Sequence, residues 1–335
     1  MQIENILVIV IARFGDTLLV TTVIRALKQE WLGANIDVMA HKRIKHTLEN
    51  ISDINRLTAF SKSKAKWCRW FTRRHYDIAL VYGDDKPLLQ YAKRKSRLTV
   101  SFSDKSSLQP NWLEVKKLEQ LIPAQQELAM LARAIGAEVS NWQLNYCVSD
   151  EELRFANNFM RQHLDNVLLM GFQLQSFSAK AYRDWPIEHF YKLAQCIDNH
   201  YPHSHIVLLG STDGEIVAQS RAERLGIEKC TSLAGKLTMR QNAAMMSKLD
   251  LYIGVDTGPT HLAGALGIPM VAMYHSFHPG RFLDPQQHLH LAVIEHPVHY
   301  MQATCEDSMS VISVEQIWQE TQKLLETQSL GITTR

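Results

Sequence analysis

The strongest constraint on the fold is an alternation of short apolar runs with segments of helical periodicity. The first run, Asn5 to Ala12, is β-branched and apolar at successive positions, as in a strand buried on both faces of a parallel sheet. A glycine turn and a helical segment, Thr17 to Trp31, follow it. Further strands are expected at Ile36 to Ala40, Asp77 to Val81, Leu98 to Phe102 and around Leu128 to Ile135. This order predicts right-handed βαβ units and a doubly wound α/β sheet.

The pattern starts again in the second half of the chain, after a predicted helix at Asp150 to Leu164. Apolar runs alternate there with helical segments, at residues 166–171, 205–209, 251–255 and 269–274. The 335 residues exceed the roughly 250 to 300 that one hydrophobic core organises. We therefore predict two Rossmann-like domains, over residues 1–160 and 161–335. A last amphipathic helix, Val314 to Leu325, is expected to pack back on the first domain.

Composition excludes several classes of protein. With 46% apolar and 21% charged residues, the chain is neither disordered nor fibrous. The longest apolar run ends at Arg13, far short of the roughly 20 residues of a membrane-spanning helix. No secretory leader is visible at the start, and the five cysteines form no CxxC pair. We expect a cytoplasmic protein with reduced thiols and no structural zinc.

Charge is divided unequally along the chain. Residues 1–165 hold 24 Lys+Arg against 18 Asp+Glu, whereas residues 166–335 hold 12 against 16. This division favours an anionic partner for the first half, although scattered surface charge would give the same totals.

One basic segment interleaves cations with aromatic side chains. It carries Lys62, Lys64, Lys66, Trp67, Arg69, Trp70, Arg73 and Arg74, and four further cations lie between Lys93 and Arg97. Such a pattern fits the headgroup region of an anionic membrane or an anionic glycolipid. No nucleic-acid-binding fold module accompanies it, so nucleic acid ranks lower as a partner. A solvated helix face is the alternative.

The segment from Asp250 to Pro269 carries the clearest ligand-binding pattern. A buried strand is followed by Asp256, Thr257 and Gly258, and Pro259 then opens a helix. Ligands of open α/β sheets bind at the carboxyl ends of the strands, and a helix N-terminus attracts phosphate. We expect Thr257, Gly258 and the amides of Thr260 and His261 to face a diphosphate. A helix capped by Asp256 or Thr257 is the alternative.

Two cations, Lys180 and Arg183, lie on a loop after the predicted strand at Val167. An ammonium and a forked guanidinium at a strand end can neutralise phosphate oxygens, or they can simply be solvated. The adjacent Trp185 and Pro186 are expected to fix this loop and start a helix.

Asp16 follows the first strand after Gly15, in a turn that lacks the GxGxxG pattern of dinucleotide-binding folds. Its carboxylate is placed either to accept a proton from a substrate hydroxyl or to cap the helix at Thr17. The fifteen histidines show no metal-binding spacing.

Three ordered motifs resemble glycosyltransferase family nine, the lipopolysaccharide heptosyltransferases. They are residues 6–27, Ser232 to Thr238, and Asp256 to Ala263. The likeness extends over nearly the whole chain, including Trp185 to Glu188.

The resemblance implies a GT-B architecture, with two Rossmann-like domains and an interdomain cleft. The first domain would bind the acceptor and the second the nucleotide sugar. It implies transfer of heptose, with inversion, from ADP-heptose to the inner core of lipopolysaccharide, with no metal or cofactor. Asp16 then matches the general base, Asp256 to His261 the diphosphate loop, and Arg183 a position where the family commonly has lysine. Glu215, or Asp213, could bind the ribose hydroxyls.

Such an enzyme would work at the cytoplasmic face of the bacterial inner membrane as a peripheral protein. Two alternatives remain open. One is the same fold with another donor, such as a UDP-N-acetylhexosamine, or with epimerase or hydrolase activity. The other is a nucleotide-binding module without catalysis.

Overall fold

The computed structural model describes residues 3–68, 75–83, 85–103, 111–163, 167–176, 178–210 and 229–332. The chain forms two compact units, Met1–Cys147 and Val148–Arg335. This division falls before the predicted one at residues 160 and 161. The reason is that the helix Asp150–His163 packs on the helix Met239–Met246 of the second unit. A bidentate pair between Glu152 and Arg240, with both N–O distances 2.6 Å, joins these two helices.

The first unit is built on a six-stranded parallel sheet of order β3-β2-β1-β4-β5-β6. Its strands are β1 (Asn5–Val10), β2 (Asn35–His41), β3 (Arg56–Phe60), β4 (Tyr76–Tyr82), β5 (Ser96–Phe102) and β6 (Trp112–Val115). The helices between and after them are α1 (Phe14–Leu19), α2 (Thr21–Glu30), α3 (Lys62–Cys68), α4 (Lys86–Lys95) and α5 (Ala124–Arg133). A 3₁₀ turn, Lys45–Leu48, follows β2.

Strand β1 shows why the sheet is covered on both faces. Alternate side chains of a strand point to opposite faces. Ile6, Val8 and Val10 join the core that includes Ile24 and Leu27 of α2. The other two, Leu7 and Ile9, join the core that includes Leu88 and Tyr91 of α4. Because both faces are apolar, the whole run is hydrophobic rather than alternating, as the sequence indicated.

Two segments of this unit differ from the sequence-based expectation. The helical segment after β1 is two helices, because the hydroxyls of Thr21 and Thr22 donate to the carbonyls of Leu18 and Leu19, at 2.6 and 3.0 Å. The predicted strand around Leu128 to Ile135 is wrong, since most of that segment is helix α5. Its apolar positions recur at helical spacing and face the core of the sheet.

The second unit repeats the topology, with a parallel sheet of order β12-β11-β10-β7-β8-β9. Its strands are β7 (Leu168–Gln173), β8 (Ser204–Leu209), β9 (Cys230–Ser232), β10 (Leu251–Val255), β11 (Met270–Tyr274) and β12 (Leu291–Glu295). The helices are α6 (Asp150–His163), α7 (Ile187–His200), α8 (Met239–Met246), α9 (Gly258–Ala265), α10 (Gly280–Leu283) and α11 (Val314–Ile332). A 3₁₀ segment, Ser178–Arg183, follows β7.

The two parallel sheets, each flanked by helices, confirm the predicted α/β class with two Rossmann-like domains. In each sheet the strand order reverses beside the first strand, between β1 and β4 and between β7 and β10. Helix α11 packs on α7, β11 and β12 of its own unit, with Ile317 and Trp318 in the core. Its packing on the first domain stays a prediction.

Candidate active site

The point where the strand order reverses in the second unit brings two predicted site residues together. Strands β7 and β10 are parallel neighbours, with Gln173 paired to Gly254. Asp256 directly follows β10, and Arg183 lies at the end of the 3₁₀ segment after β7. Their side chains meet at the carboxyl edge of the sheet, where open α/β folds bind ligands.

Arg183 and Asp256 form a buried ion pair. Nη1 of Arg183 lies 2.5 Å from Oδ2 of Asp256 and 3.3 Å from its backbone oxygen, and the side chains are 8% and 5% exposed. The Nε–H of Arg183 is buried and makes no hydrogen bond among the described residues. A buried donor without a partner is costly, so a ligand oxygen that reached this N–H would satisfy it.

The pair gives Asp256 a structural role that the sequence did not predict. A carboxylate that contacts a diphosphate directly would add repulsion between two anions. In the observed pair, Asp256 neutralises Arg183 and holds its guanidinium in place against the sheet. Direct contact of Asp256 with a diphosphate stays a prediction.

Helix α9 begins beside this pair. Thr257 is its N-cap residue. Contrary to expectation, the amides of Thr260 and His261 are not free, because both donate to the backbone oxygen of Thr257, at 3.1 and 3.4 Å. The Gly258 amide makes no hydrogen bond among the described residues. At the positive end of the helix dipole, it is an available donor for an anion.

Buried hydroxyls hold the first turn of α9 against strand β10. Oγ1 of Thr260 lies 2.5 Å from the backbone oxygen of Val255 and 2.9 Å from the Tyr252 hydroxyl. Burial raises the pKa of Tyr252, so its hydroxyl stays protonated. These contacts tie the helix start to strand β10.

The loop that carries Lys180 and Arg183 is held by its own side chains. Oδ1 of Asp184 accepts from the amide and the hydroxyl of Ser176, at 2.6 and 2.7 Å, and that hydroxyl lies 2.6 Å from the backbone oxygen of Lys180. Trp185 is buried, and its Nε1 donates to the backbone oxygen of Ile312 at 2.9 Å. The prediction that Trp185 fixes the loop is confirmed.

Three aromatic residues near the pair, Tyr182, His275 and His278, are not predicted from the sequence. Nε2 of His278 lies 3.0 Å from the Tyr182 hydroxyl, and the Tyr182 ring meets the fully buried His275 edge to face at 5.1 Å. Burial and the nearby Arg183 lower the pKa of His278 to about 4. Both histidines follow β11, which ends at the same edge of the sheet. The predicted strand at residues 269–274 ends directly before His275, so its end was the sequence signal that could have identified both histidines.

His275 is a neutral structural residue in this cluster. Burial lowers its pKa, and its Nδ1 accepts from the Phe277 amide at 3.0 Å. The other ring nitrogen, Nε2, lies 2.7 Å from the Asp307 backbone oxygen, so it carries the proton. Arg281 lies outside this cluster, with its guanidinium over the rings of Phe282 and Tyr300 at 5.3 and 5.0 Å.

Asp16 lies at the corresponding edge of the first unit, after β1. Helix α1 begins at Phe14 with Arg13 as its N-cap residue, so Asp16 falls inside the first turn and does not cap a helix at Thr17. The carboxylate is exposed and makes no hydrogen bond or ion pair within the described part of the chain. It is therefore accessible to a substrate. Its role as a base stays a prediction.

The basic segment is described only in part. Helix α3 exposes Lys64, Lys66 and Trp67, whose ring is 81% exposed, and Lys62 pairs with Asp85 at 2.7 Å. The remaining predicted residues of this patch, and the predicted ribose ligands, lie outside the described residues: Arg69, Trp70, Arg73, Arg74, Glu215 and Asp213.

A family model supplies the decisive comparison. The model of glycosyltransferase family 9 (heptosyltransferase) matches residues 72–309. The chain belongs to glycosyltransferase family 9. It is therefore a glycosyltransferase, as the motifs predicted.

The chain is similar in sequence to lipopolysaccharide heptosyltransferases. The chain is 26% identical over 191 residues to the lipopolysaccharide core heptosyltransferase OpsX of Haemophilus influenzae, a match that covers 56% of this chain and 53% of that protein. It is 24% identical over 281 residues to lipopolysaccharide heptosyltransferase 3 of Escherichia coli, covering 78% and 80%.

Solved structures show the same fold. A glycosyl transferase family 9 protein of Veillonella parvula matches with a TM-score of 0.83 at 21% identity, covering 98% of this chain and 99% of that chain. E. coli ADP-heptose lipopolysaccharide heptosyltransferase II matches with a TM-score of 0.76 at 20% identity, covering 97% and 100%. E. coli heptosyltransferase WaaC with ADP matches with a TM-score of 0.72 at 17% identity, covering 96% and 100%.

Two further observations concern the described residues only. Among them, no helix has the length and apolar character needed to cross a bilayer. They also contain no group of three or more His, Cys, Asp or Glu side chains placed to hold a metal ion.

Proposed function

We propose that this glycosyltransferase moves heptose, with inversion, from ADP-heptose to the inner core of lipopolysaccharide. The observation that carries the proposal is the buried Arg183, whose Nε–H lacks a partner close to the start of helix α9. Lipopolysaccharide heptosyltransferases among the similar proteins support the choice of sugar and acceptor.

The second unit would hold the donor and stabilise its leaving group. As the bond between the anomeric carbon and the diphosphate oxygen breaks, negative charge grows on the diphosphate. Nε–H of Arg183, the Gly258 amide and the Lys180 ammonium are donors that would meet this charge. Asp256 keeps the guanidinium oriented before the donor arrives, so little reorganisation is needed.

These fixed cations and amides would take the place of a metal ion. Thr257, Pro259 and His261 shape the helix start that carries the Gly258 amide. We propose that neither a metal nor a cofactor is needed. Activity that persists in excess EDTA would support this, and activity restored only by added Mg²⁺ or Mn²⁺ would refute it.

The first unit would bind the acceptor and activate its hydroxyl. Asp16, exposed after β1, would accept the hydroxyl proton while the oxygen forms its bond to the anomeric carbon. Attack on the face opposite the diphosphate inverts the anomeric centre. ADP leaves with the electron pair of the broken bond.

Helix α3 would bring the enzyme to its lipid-linked acceptor. Lys64 and Lys66 are exposed cations, and Trp67 presents a large amphipathic ring beside them. Each cation near an anionic surface contributes about 1 kcal/mol. We propose a peripheral protein at the cytoplasmic face of the bacterial inner membrane.

The test is a transfer assay with purified enzyme, ADP-heptose and a heptose-deficient lipopolysaccharide acceptor, with the product identified by mass spectrometry. We expect a mass gain of one heptose that depends on the acceptor. Consumption of donor without acceptor would indicate a hydrolase or an epimerase instead.

Calorimetry with ADP and UDP gives an independent test of the donor. Tighter binding of ADP supports a heptose donor, whereas tighter binding of UDP supports the alternative of a UDP-N-acetylhexosamine. If neither nucleotide binds and no product forms, the proposed function is wrong.

A further inference from the structure

A second group of cations lies at the carboxyl edge of the first sheet, apart from helix α3. The chain after β2 reads His41-Lys-Arg-Ile-Lys-His46, with three Lys or Arg and two His in six residues. Arg13 lies after the neighbouring strand β1. This cluster, consisting of Arg13, Lys42 and Arg43, lies outside the basic aromatic segment that the sequence singled out.

The topology places the cluster beside Asp16. Strands β1 and β2 are parallel neighbours, with Val10 paired to Ala40, so the residues that follow them leave the sheet at one edge. The 3₁₀ turn Lys45–Leu48 then packs against α1, the helix that carries Asp16. The segments that follow these two strands, one carrying Arg13 and Asp16 and the other Lys42 and Arg43, therefore leave the sheet at the same edge.

The cations of this cluster are not neutralised within the protein. Arg13, Lys42 and Arg43 are exposed, and their side chains make no ion pair or hydrogen bond with the described residues. Three other cations of this unit do have partners. Arg56 pairs with Asp37, Arg97 with Asp77 at 3.2 Å, and Lys45 with Glu49 at 3.0 Å.

The loop after β2, residues 42–44, is called the β2 loop. Hydrogen bonds from its own backbone amides to His41 hold it in a defined shape. The Ile44 amide donates to the His41 backbone oxygen at 2.8 Å, and the Arg43 amide donates to Nδ1 of His41 at 3.3 Å. Lys42 and Arg43 therefore lie at the tip of a turn rather than on a loose segment. Exposed cations without a protein partner are available to an anion that binds at this edge of the sheet.

We propose that Arg13, Lys42 and Arg43 bind an anionic group of the acceptor, a phosphate or a carboxylate, next to the hydroxyl that Asp16 activates. The inference rests on the proposed function, because it assigns part of the acceptor site. An arginine fork and an ammonium suit both kinds of oxyanion.

The test uses the double variant Lys42→Gln/Arg43→Gln and a matched control, Lys192→Gln/Arg154→Gln. The control removes one exposed lysine and one exposed arginine of the second unit that also lack partners among the described residues. Both variants should keep the wild-type circular dichroism spectrum and melting temperature.

Two exposed charge pairs lost together should raise the acceptor KM about three- to thirtyfold. The donor KM and kcat at saturating acceptor should stay at wild-type values, and the control should match wild type throughout. An unchanged acceptor KM in the double variant, or an equal rise in the control, overturns the proposal.

An acceptor stripped of phosphate separates the two kinds of anion. If the cluster binds phosphate, wild type and double variant should have the same KM for this acceptor. If it binds a carboxylate, the difference between them should persist.

The failure of the proposed function can be told from the failure of this inference. If the wild-type enzyme transfers no heptose, titration of the intact lipopolysaccharide acceptor into wild type and double variant by calorimetry still tests the cluster. Weaker binding by the double variant alone supports it. Equal binding, or none by wild type, overturns it.

Discussion

The two units share one topology but present different chemistry at the carboxyl edges of their sheets. In the second unit Arg183 and Asp256 are buried, and each is the fixed partner of the other. In the first unit Asp16 and the cations of the cluster are exposed and unpaired within the described residues. A common fold therefore supplies both a dry site and a solvated one.

This difference matches the two tasks of a glycosyl transfer. Stabilising a leaving group requires dipoles and charges that are already oriented in a place with little water. Recognising a large anionic acceptor requires accessible cations that can release their hydration.

Asp16→Asn should abolish most of the activity while leaving the second unit intact. Loss of a general base lowers the rate by about 10²- to 10⁴-fold. We expect kcat to fall in this range and the calorimetric affinity for ADP to remain. Asp53→Asn removes another carboxylate of the first unit that lacks a partner among the described residues, and it should retain activity. Full activity of Asp16→Asn would refute the assignment of the base.

Asp256→Leu should destabilise the second unit, because it leaves the guanidinium of Arg183 buried without its counter-ion. Breaking one side of a buried pair costs about 3 to 5 kcal/mol. The double variant Arg183→Met/Asp256→Leu should recover most of that stability but not the transfer activity. Urea titration measures the loss in the free energy of unfolding. Amide hydrogen exchange in β10 and α9 shows whether the loss is local to these elements.

The matched control lies in the first unit. Arg97→Met breaks the pair with Asp77, but the Arg97 side chain is 62% exposed, so the cost should stay below about 1 kcal/mol. Equal losses in Asp256→Leu and Arg97→Met would contradict the contrast between the two units.

The second unit should lose stability in mild acid. Burial lowers the pKa of His278 and His288 from 6.5 to about 4 in the folded chain. Between pH 6.5 and 4 the unfolded chain binds these protons first, so stability falls as pH falls, by at most about 1.4 kcal/mol per pH unit for each histidine. Asp284, whose pKa burial and Glu295 raise from 3.8 to about 6, opposes this between pH 6 and 3.8.

A variant isolates the histidine contribution. Nε2 of His288 is buried without a hydrogen-bond partner among the described residues. His288→Gln should therefore reduce the acid slope of unfolding free energy, measured by urea titration at several pH values between 7 and 4. A slope identical to wild type would exclude His288 as its source.

Trp67→Ala should weaken association with anionic vesicles about three- to tenfold. The substitution removes a largely exposed aromatic ring that would insert into the headgroup region. Sedimentation with vesicles containing anionic phospholipid measures this partition. Leu32→Ala removes another exposed apolar side chain of the first unit, 77% exposed, and should have no effect. Equal partition of Trp67→Ala and wild type would remove α3 from the membrane contact.

Much of the fold was predictable from the sequence because buried parallel strands are continuous apolar runs. The sequence predicts a strand at each of β1, β2, β4, β5, β7, β8, β10 and β11, and the structure confirms all eight. The four strands that the sequence does not predict, β3, β6, β9 and β12, are the edge strands of the two sheets. Most of their side chains are only half-buried, so their apolar signal is weak. The misassigned segment around Leu128 has helical spacing that a short window does not reveal.

The sequence also determined which residue types stand at the strand ends. Asp16, Arg183 and the start of α9 could be named from local pattern, since a strand that ends in polar residues before a helix marks the carboxyl edge. The pairing of Arg183 with Asp256, 73 residues apart, could not be named. The contact between α1 and the 3₁₀ turn that follows the β2 loop could not be predicted either.

Those two features were decided by the tertiary structure. The order of strands in a sheet sets which strand ends are neighbours, and only that order turns two separate loops into one environment. Burial then decides whether a charge needs a protein partner, as Arg183 does, or remains in solvent, as Lys42 does. Periodicity along the chain does not indicate the strand order or the burial of a charged side chain, because both depend on contacts between distant segments.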